Sequence, residues 1–230
     1  MSVQTVRVPA PMEPLFEKAE KYVSEYFGQS QSDPSKGVIS YHGERYILVR
    51  ASSMSVHFLE FIMKMYPGLN QEEGLDAAAI ILYDMAHALG LADAKKFTQD
   101  LNITDPLEKL SLGPVHFSHS GWAFVDIKPE SAPVPNENFL LIYDHPYSFE
   151  AEAWLQQGKH TTRCMCHMSS GYSSGWSEES YGLKLVAREV LCRAKGDPFC
   201  RFLMAPPQKI EAVVRDYQKK NPALFGSGTK

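Results

Sequence analysis

The spacing Glu189-x2-Cys192-x7-Cys200 constrains this chain more than any other feature, because Gly196-Asp197-Pro198 sits between the two cysteines and reads as a tight turn. A hairpin over residues 183–192 and 199–204 brings both thiols to one end, with Glu189 on the incoming strand. Cys166, on a helical stretch spanning 163–180, completes a set of four. Three thiolates and one carboxylate suit tetrahedral zinc, and a site with no open position holds structure rather than performing chemistry. His167 or Cys164 stands as an alternative fourth ligand to Glu189. Cysteines that merely pack as small apolar residues stand as the alternative to any metal. Arg188, Arg193, Lys195 and Arg201 surround the cluster in sequence and are placed to neutralise its negative charge.

Four cysteines in 230 residues are too few for a disulfide scaffold, which favours metal binding in a reducing compartment. A net charge of -4 offers no basic footprint, so no direct nucleic-acid contact is expected. The most apolar run, 75–91, carries Asp76, Asp84 and His87, so no membrane span is expected. Met1-Ser2-Val3-Gln4 lacks the layout of a secretion signal, and the expected location is cytoplasmic.

Along the chain, Leu15, Phe16, Ala19, Tyr22, Val23, Tyr26 and Phe27 recur at helical spacing up to Gly28, and a polar run over 29–37 reads as a linker. That helix either folds back on the core or serves as a dimer contact. Residues 38–42 and 45–50 flank Gly43-Glu44 as a hairpin. Helices are predicted over 54–65 and 72–91, separated at Pro67-Gly68, the second ending near Gly90, and over 92–101. The character changes at Gly113-Pro114. Strands over 122–127 and 139–143 follow, then a short helix over 149–156, a helix over 163–180 interrupted by Gly171 and Gly175, the cysteine hairpin, a closing helix over 208–219 and a loose tail from Asn221. The pattern predicts an α/β (α+β) fold, an antiparallel sheet packed by helices with a zinc-bound hairpin. Its segments are 1–36, 37–112, 113–205 and 206–230.

No Gly-x-Ser-x-Gly elbow, His-Glu-x-x-His pair or dinucleotide fingerprint occurs, and no catalytic residue is assigned. Ser169 to Gly175 lacks the lysine of a phosphate loop and reads as close packing. Asp84 and His87, one helical turn apart, read as a pair on a helix face.

Cys166-x4-Gly171-Tyr172, Tyr181-Gly182, Glu189-x2-Cys192 and Gly196-Asp197-x2-Cys200 together resemble the zinc-binding vinyl-4-reductase-type domain. Gly43-Glu44-Arg45 before Ile47-Leu48-Val49, then Gly113-Pro114 and Ser148-Phe149-Glu150, resemble the sensor region of the XylR/DmpR group of sigma-54-dependent activators. The resemblance implies a cytoplasmic α/β module with a buried pocket for an aromatic effector, a structural zinc and a tendency to form homodimers. It also implies an output domain, a kinase or ATPase, that this chain does not contain.

Counting from Gly113 and Ser148, the family's phenol-holding positions fall on Phe117 and His145. His116 is one residue off register and would point elsewhere if that stretch is extended. The effector's polar end is therefore expected at His145, with Tyr143 or Tyr147, and Trp176, Trp122 and Phe124 as aromatic walls. The leading expectation is a small-molecule sensor whose zinc hairpin, next to Pro206-Pro207, levers the closing helix. A reductase-like enzyme of the vinyl-reductase type and a purely structural dimerisation module are the competing readings.

Overall fold

The computed structural model describes residues 3–66 and 68–225, so the break expected at Pro67 and the last five residues of the expected tail lie outside the described residues. In chain order the main elements are β1 (Val6–Arg7), α1 (Glu13–Gly28), β2 (Ser30–Asp33), β3 (Val38–Tyr41), β4 (Glu44–Tyr46), α2 (Phe58–Met65), α3 (Gln71–Asp100) and α4 (Pro106–His119). They continue with β5 (Val125–Ile127), β6 (Leu141–His145), α5 (Phe149–Gln156), α6 (His167–Tyr181), β7 (Val186–Leu191), β8 (Cys200–Ala205), α7 (Ile210–Lys220) and α8 (Pro222–Phe225).

A five-stranded sheet runs in the order β1-β5-β6-β8-β7, antiparallel except for the parallel β1–β5 pair. Alternation along the strands separates its faces. Val125, Ile127, Leu141, Tyr143, Cys200, Phe202 and Met204 join the main core beneath α4 and α6. Ile142, Leu203 and Ala205 look the other way and pack with Ile210, Val213 and Val214 of α7. The expected boundary between 112 and 113 falls inside α4, and β1 joins a sheet built otherwise from the last half of the chain.

Several elements differ from the sequence reading, and glycine accounts for most of the differences. α3 runs unbroken through Gly90, opened by a capping box between Asn70 and Glu73, and α6 runs unbroken through Gly171 and Gly175. A Cβ at Gly90 would collide with the Tyr172 carbonyl, one at Gly171 with that of Tyr83, and one at Gly175 with that of His87. These glycines let two helix backbones touch; they do not end helices. α3 is also the helix, among the described residues, long and apolar enough to cross a membrane by length and composition, with an 18-residue window of mean hydropathy 1.4. Here its buried stripe, Gly74, Ala78, Leu82, Ala86, Gly90 and Ala94, recurs every fourth residue and packs into the domain.

The polar run expected to be a linker contains β2, which pairs with β3. The β3–β4 turn is centred on His42 (φ 48°) and Gly43 (φ 82°), one residue earlier than expected, with the paired positive φ values of the preferred two-residue hairpin. α1 folds back onto its own core, burying Phe16, Ala19 and Val23. Gly113-Pro114 does not begin a new region but lies within α4, where Pro114 leaves the Leu110 carbonyl without its helical donor.

Candidate functional site

Two neighbouring sites share the inner face of the sheet. At the first, Cys166, Glu189, Cys192 and Cys200 bring one ligand atom each to within 4.8 Å of one another. Strict alternation would put Glu189 and Cys192, three residues apart, on opposite faces. A bulge between Glu189 and Leu191 resolves this. Val190 and Leu191 both turn outward, and Cys192 returns to the inner side with Glu189. Cys200 enters at the start of β8, after a loop that Asp197 ties by accepting from the Cys192 N–H at 2.7 Å.

The donor set fits a metal ion. Cys166 Sγ and Cys200 Sγ stand 3.6 Å apart, close to the ~3.8 Å edge of a tetrahedron with 2.3 Å metal–sulfur bonds. Glu189 Oε2 accepts from the Cys166 N–H at 2.8 Å, while its Oε1 is buried with no hydrogen-bond partner among the described residues. A buried carboxylate oxygen without a partner is costly unless a cation meets it. The Arg193 N–H, 3.4 Å from Cys200 Sγ, and the Ser148 hydroxyl, 3.3 Å from Cys166 Sγ, supply outer support. Neither Cys164 nor His167 belongs to the cluster. The four cations expected to neutralise it pair elsewhere: Arg188 with Glu211, Arg193 with Glu152, Lys195 with Asp197 and Arg201 with Asp144.

The second site is a small cavity of about 30 Å³ between α4, α6 and strands β5 and β6. Leu110, Gly113, Pro114, Phe117, Val125, Ile127, Leu141 and Trp176 give it apolar walls. Trp176 is fixed where its Nε1 donates to the Lys109 carbonyl at 3.0 Å, its ring lying over Gly113, where a Cβ would come within 2.8 Å. Tyr143 and His145 line the cavity from β6; both His145 ring nitrogens are buried with no partner among the described residues, and the Ser173 side chain lies beside the buried Tyr143 hydroxyl. Burial depresses the His145 pKa to about 3, so at neutral pH the ring is uncharged and offers one donor and one acceptor.

Of the residues expected at the pocket, Phe117, Tyr143, His145 and Trp176 line this cavity, whereas Trp122, Phe124 and Tyr147 line a separate open cleft of about 340 Å³. Trp122 still touches the cavity wall from behind, its ring 5.2 Å from Phe117 and 4.9 Å from Tyr172. Tyr172, Ser173 and Ser177 line the cavity and escaped the sequence reading. Continuing α6 past its glycines places them, since 173, 176 and 177 share a helical face.

His116 does not point away, because α4 is helical there and turns it inward, although it is absent from the cavity lining. Tyr172 donates to Asp93 Oδ2 at 2.7 Å, and His116 Nδ1 lies 3.1 Å from the same hydroxyl, so Nδ1 carries the proton and Nε2 is left a bare acceptor. Asp84 and His87 do not pair; His87 meets Glu178 at 3.2 Å. Burial, with a smaller contribution from nearby His119, lowers the His116 pKa to about 3. The unfolded chain therefore binds a proton near pH 6.5 that the folded ring refuses, so stability is lost as pH falls through 6.5. Between pH 7.5 and 5.5 the wild type is expected to lose about 1.4 kcal/mol relative to a His116→Phe variant, as read by urea unfolding at both pH values. Parallel pH profiles for the two proteins would refute this.

Comparison with known proteins finds one family model that matches part of the chain. Residues 29–131 match XylR_N, the activator of aromatic catabolism. The XylR_N match contains α4 and β5 and with them the cavity residues from Leu110 to Ile127, and the resemblance read from Gly43-Glu44-Arg45 and Gly113-Pro114 holds. The phenol-responsive sensory domain of the transcription activator PoxR, solved with phenol, has the same fold, with a TM-score of 0.70 at 20% identity over 92% of this chain and 99% of that one. A vinyl-4-reductase family protein from Methanocaldococcus jannaschii aligns over 86% of this chain and 98% of its own, with 15% identity and a TM-score of 0.42. No curated protein matches.

Proposed function

We propose that this chain is the effector-sensing domain of a transcription regulator, that it takes a small aromatic molecule into the cavity between α4, α6 and the sheet, and that a structural zinc bound by Cys166, Glu189, Cys192 and Cys200 holds the frame. The observation that carries the reading is an apolar cavity lined by His145, whose buried ring nitrogens have no partner among the described residues, with the Tyr143 hydroxyl beside it. Apolar walls with a few convergent polar groups are the usual form of a small-molecule site. A neutral histidine beside a tyrosine hydroxyl suits a hydroxyl-bearing ring, which can accept from one and donate to the other. The reading is of binding rather than turnover, in a cytoplasmic homodimer whose output partner is a separate domain. XylR_N similarity and the PoxR fold support it.

Calorimetric titration with phenol and methylphenols tests the pocket. Tyr143→Phe and His145→Leu are each expected to weaken binding about 10-fold, the scale of one buried hydrogen bond, while Tyr147→Ala, on the outer cleft, stays within about 2-fold. Heat-free titrations across a panel of monocyclic phenols would overturn the reading.

A path from cavity to exit helix runs through one strand. His145 faces the cavity, while its neighbour Asp144 on the opposite face accepts two bonds from Arg201, at 2.6 and 2.7 Å. Arg201 also donates to the Tyr217 hydroxyl of α7 at 2.6 Å. Saturating phenol is expected to slow hydrogen exchange across α7 in the wild type and to leave it unaltered in Arg201→Ala. Unchanged exchange in the wild type would remove this lever.

A further inference from the structure

β4 is an unpaired edge of the three-stranded sheet, whose order is β2-β3-β4. Its regular pairing stops at Tyr46, although the sequence continues as Ile47-Leu48-Val49-Arg50, a run of strand-forming residues. Ile47 is 75% exposed, Leu48 82% and Val49 48%. None of the three takes part in a backbone hydrogen bond linking it to a turn, loop or cap among the described residues. An exposed apolar edge of this kind is a template for another strand, and folds that leave one bare usually blunt it with charge or proline. Here Glu44 and Arg45 stand at one end and Arg50 at the other, and the three residues between Tyr46 and Arg50 are all apolar.

We propose that this edge pairs with the same edge of a second copy, antiparallel and centred on Ile47, joining two three-stranded sheets into one of six strands. The register follows from symmetry. A two-fold axis perpendicular to the sheet keeps each side chain on its own face, so the numbers of facing residues must sum to an even value. Centring on Ile47 sets Ile47 against Ile47 of the other copy, Tyr46 against Leu48, and Glu44 against Arg50, twice per dimer. Moving the centre to Tyr46 or Leu48 loses that charge match. Arg50 is exposed and makes no ion pair among the described residues, and Glu44 has only Lys96 at 3.5 Å, so both are free to engage. Opposite charges facing across a strand pair stabilise it, and like charges destabilise it.

The inference rests on the homodimer reading above, and the test separates the two. Light scattering on the wild type is expected to give a dimer. Glu44→Arg and Arg50→Glu should each raise the dimer dissociation constant at least about 10-fold, and the double exchange should restore it. Ile47→Cys should oxidise to a covalent dimer, because its facing Cα atoms would lie about 5 Å apart. Leu48→Cys should not, because its own copies would sit about 8 Å apart, diagonally across the pair. A dimer indifferent to the charge exchanges and uncrosslinked at Ile47 overturns this interface and leaves the homodimer standing. A monomeric wild type overturns both, and a monomer whose amides over 45–49 resist exchange shows that another segment covers the edge.

Discussion

Replacing Cys192 with serine is expected to abolish the proposed zinc binding and lower the melting temperature by about 8–16 °C. The thiolate lost is one of four donors, set on the inner side by the bulge before it. In small zinc-finger peptides the metal contributes about 10–16 kcal/mol and the apo form is unfolded. This chain has a large core besides its cluster, so about 4 kcal/mol is the appropriate scale, and a chain of this size shifts by roughly 2–4 °C per kcal/mol. The effect comes from what the cluster ties together. Cys166 precedes α6, Cys192 follows β7 and Cys200 opens β8, so a single ion bound there would fix the helix that walls the cavity to the hairpin behind it. Cys164→Ser is the control: it lies outside the cluster and is expected to keep its zinc. One metal per chain retained in Cys192→Ser, by elemental analysis, would end the assignment.

The same residues show what sequence can and cannot disclose. Glu189-x2-Cys192-x7-Cys200 was legible because a hairpin brings its two ends together whatever the details of its turn. The bulge that makes a spacing of three work was not legible, since nothing in Val190-Leu191 marks an extra residue. His145 was found by counting from a motif, and alternation then placed Tyr143 on the same face. Trp122, Phe124 and Tyr147 lie on the outer cleft, a placement that a sequence cannot give because it does not tell the wall of a cavity from the layer behind it. Gly113-Pro114 reads as a change of character, yet burial of Leu110, Leu112, Val115 and Phe117 carries α4 past a proline that costs the helix a hydrogen bond. β2 was read as a linker because Ser30 to Asp33 carry no apolar alternation; their pairing comes from the neighbouring strand, not from their own side chains.

Gly171→Val is the substitution expected to harm the fold most among those that touch no ligand. At Gly90, Gly171 and Gly175 the backbones of α3 and α6 come so close that any Cβ would overlap a carbonyl of the facing helix, and backbone cannot rotate aside as a side chain can. The helices must separate, and α6 has nowhere to go, because nearly all of its residues from Met168 to Tyr181 are buried. Overpacking of this kind costs about 3 kcal/mol or more, a large share of the 5–15 kcal/mol that hold a typical domain folded. Gly171→Ala should already lose about 3 kcal/mol in urea unfolding. Gly28→Ala, at the end of α1 with open space around its Cβ, should stay within about 1 kcal/mol of wild type. Function should follow stability, because Tyr172, Ser173, Trp176 and Ser177 all reach the cavity from α6. A helix displaced from α3 moves toward the sheet and narrows the space in which an effector sits. Gly171→Ala should therefore bind phenol more weakly even at temperatures where it remains folded. A variant that binds as the wild type does would mean that the cavity is set by the sheet and α4 alone.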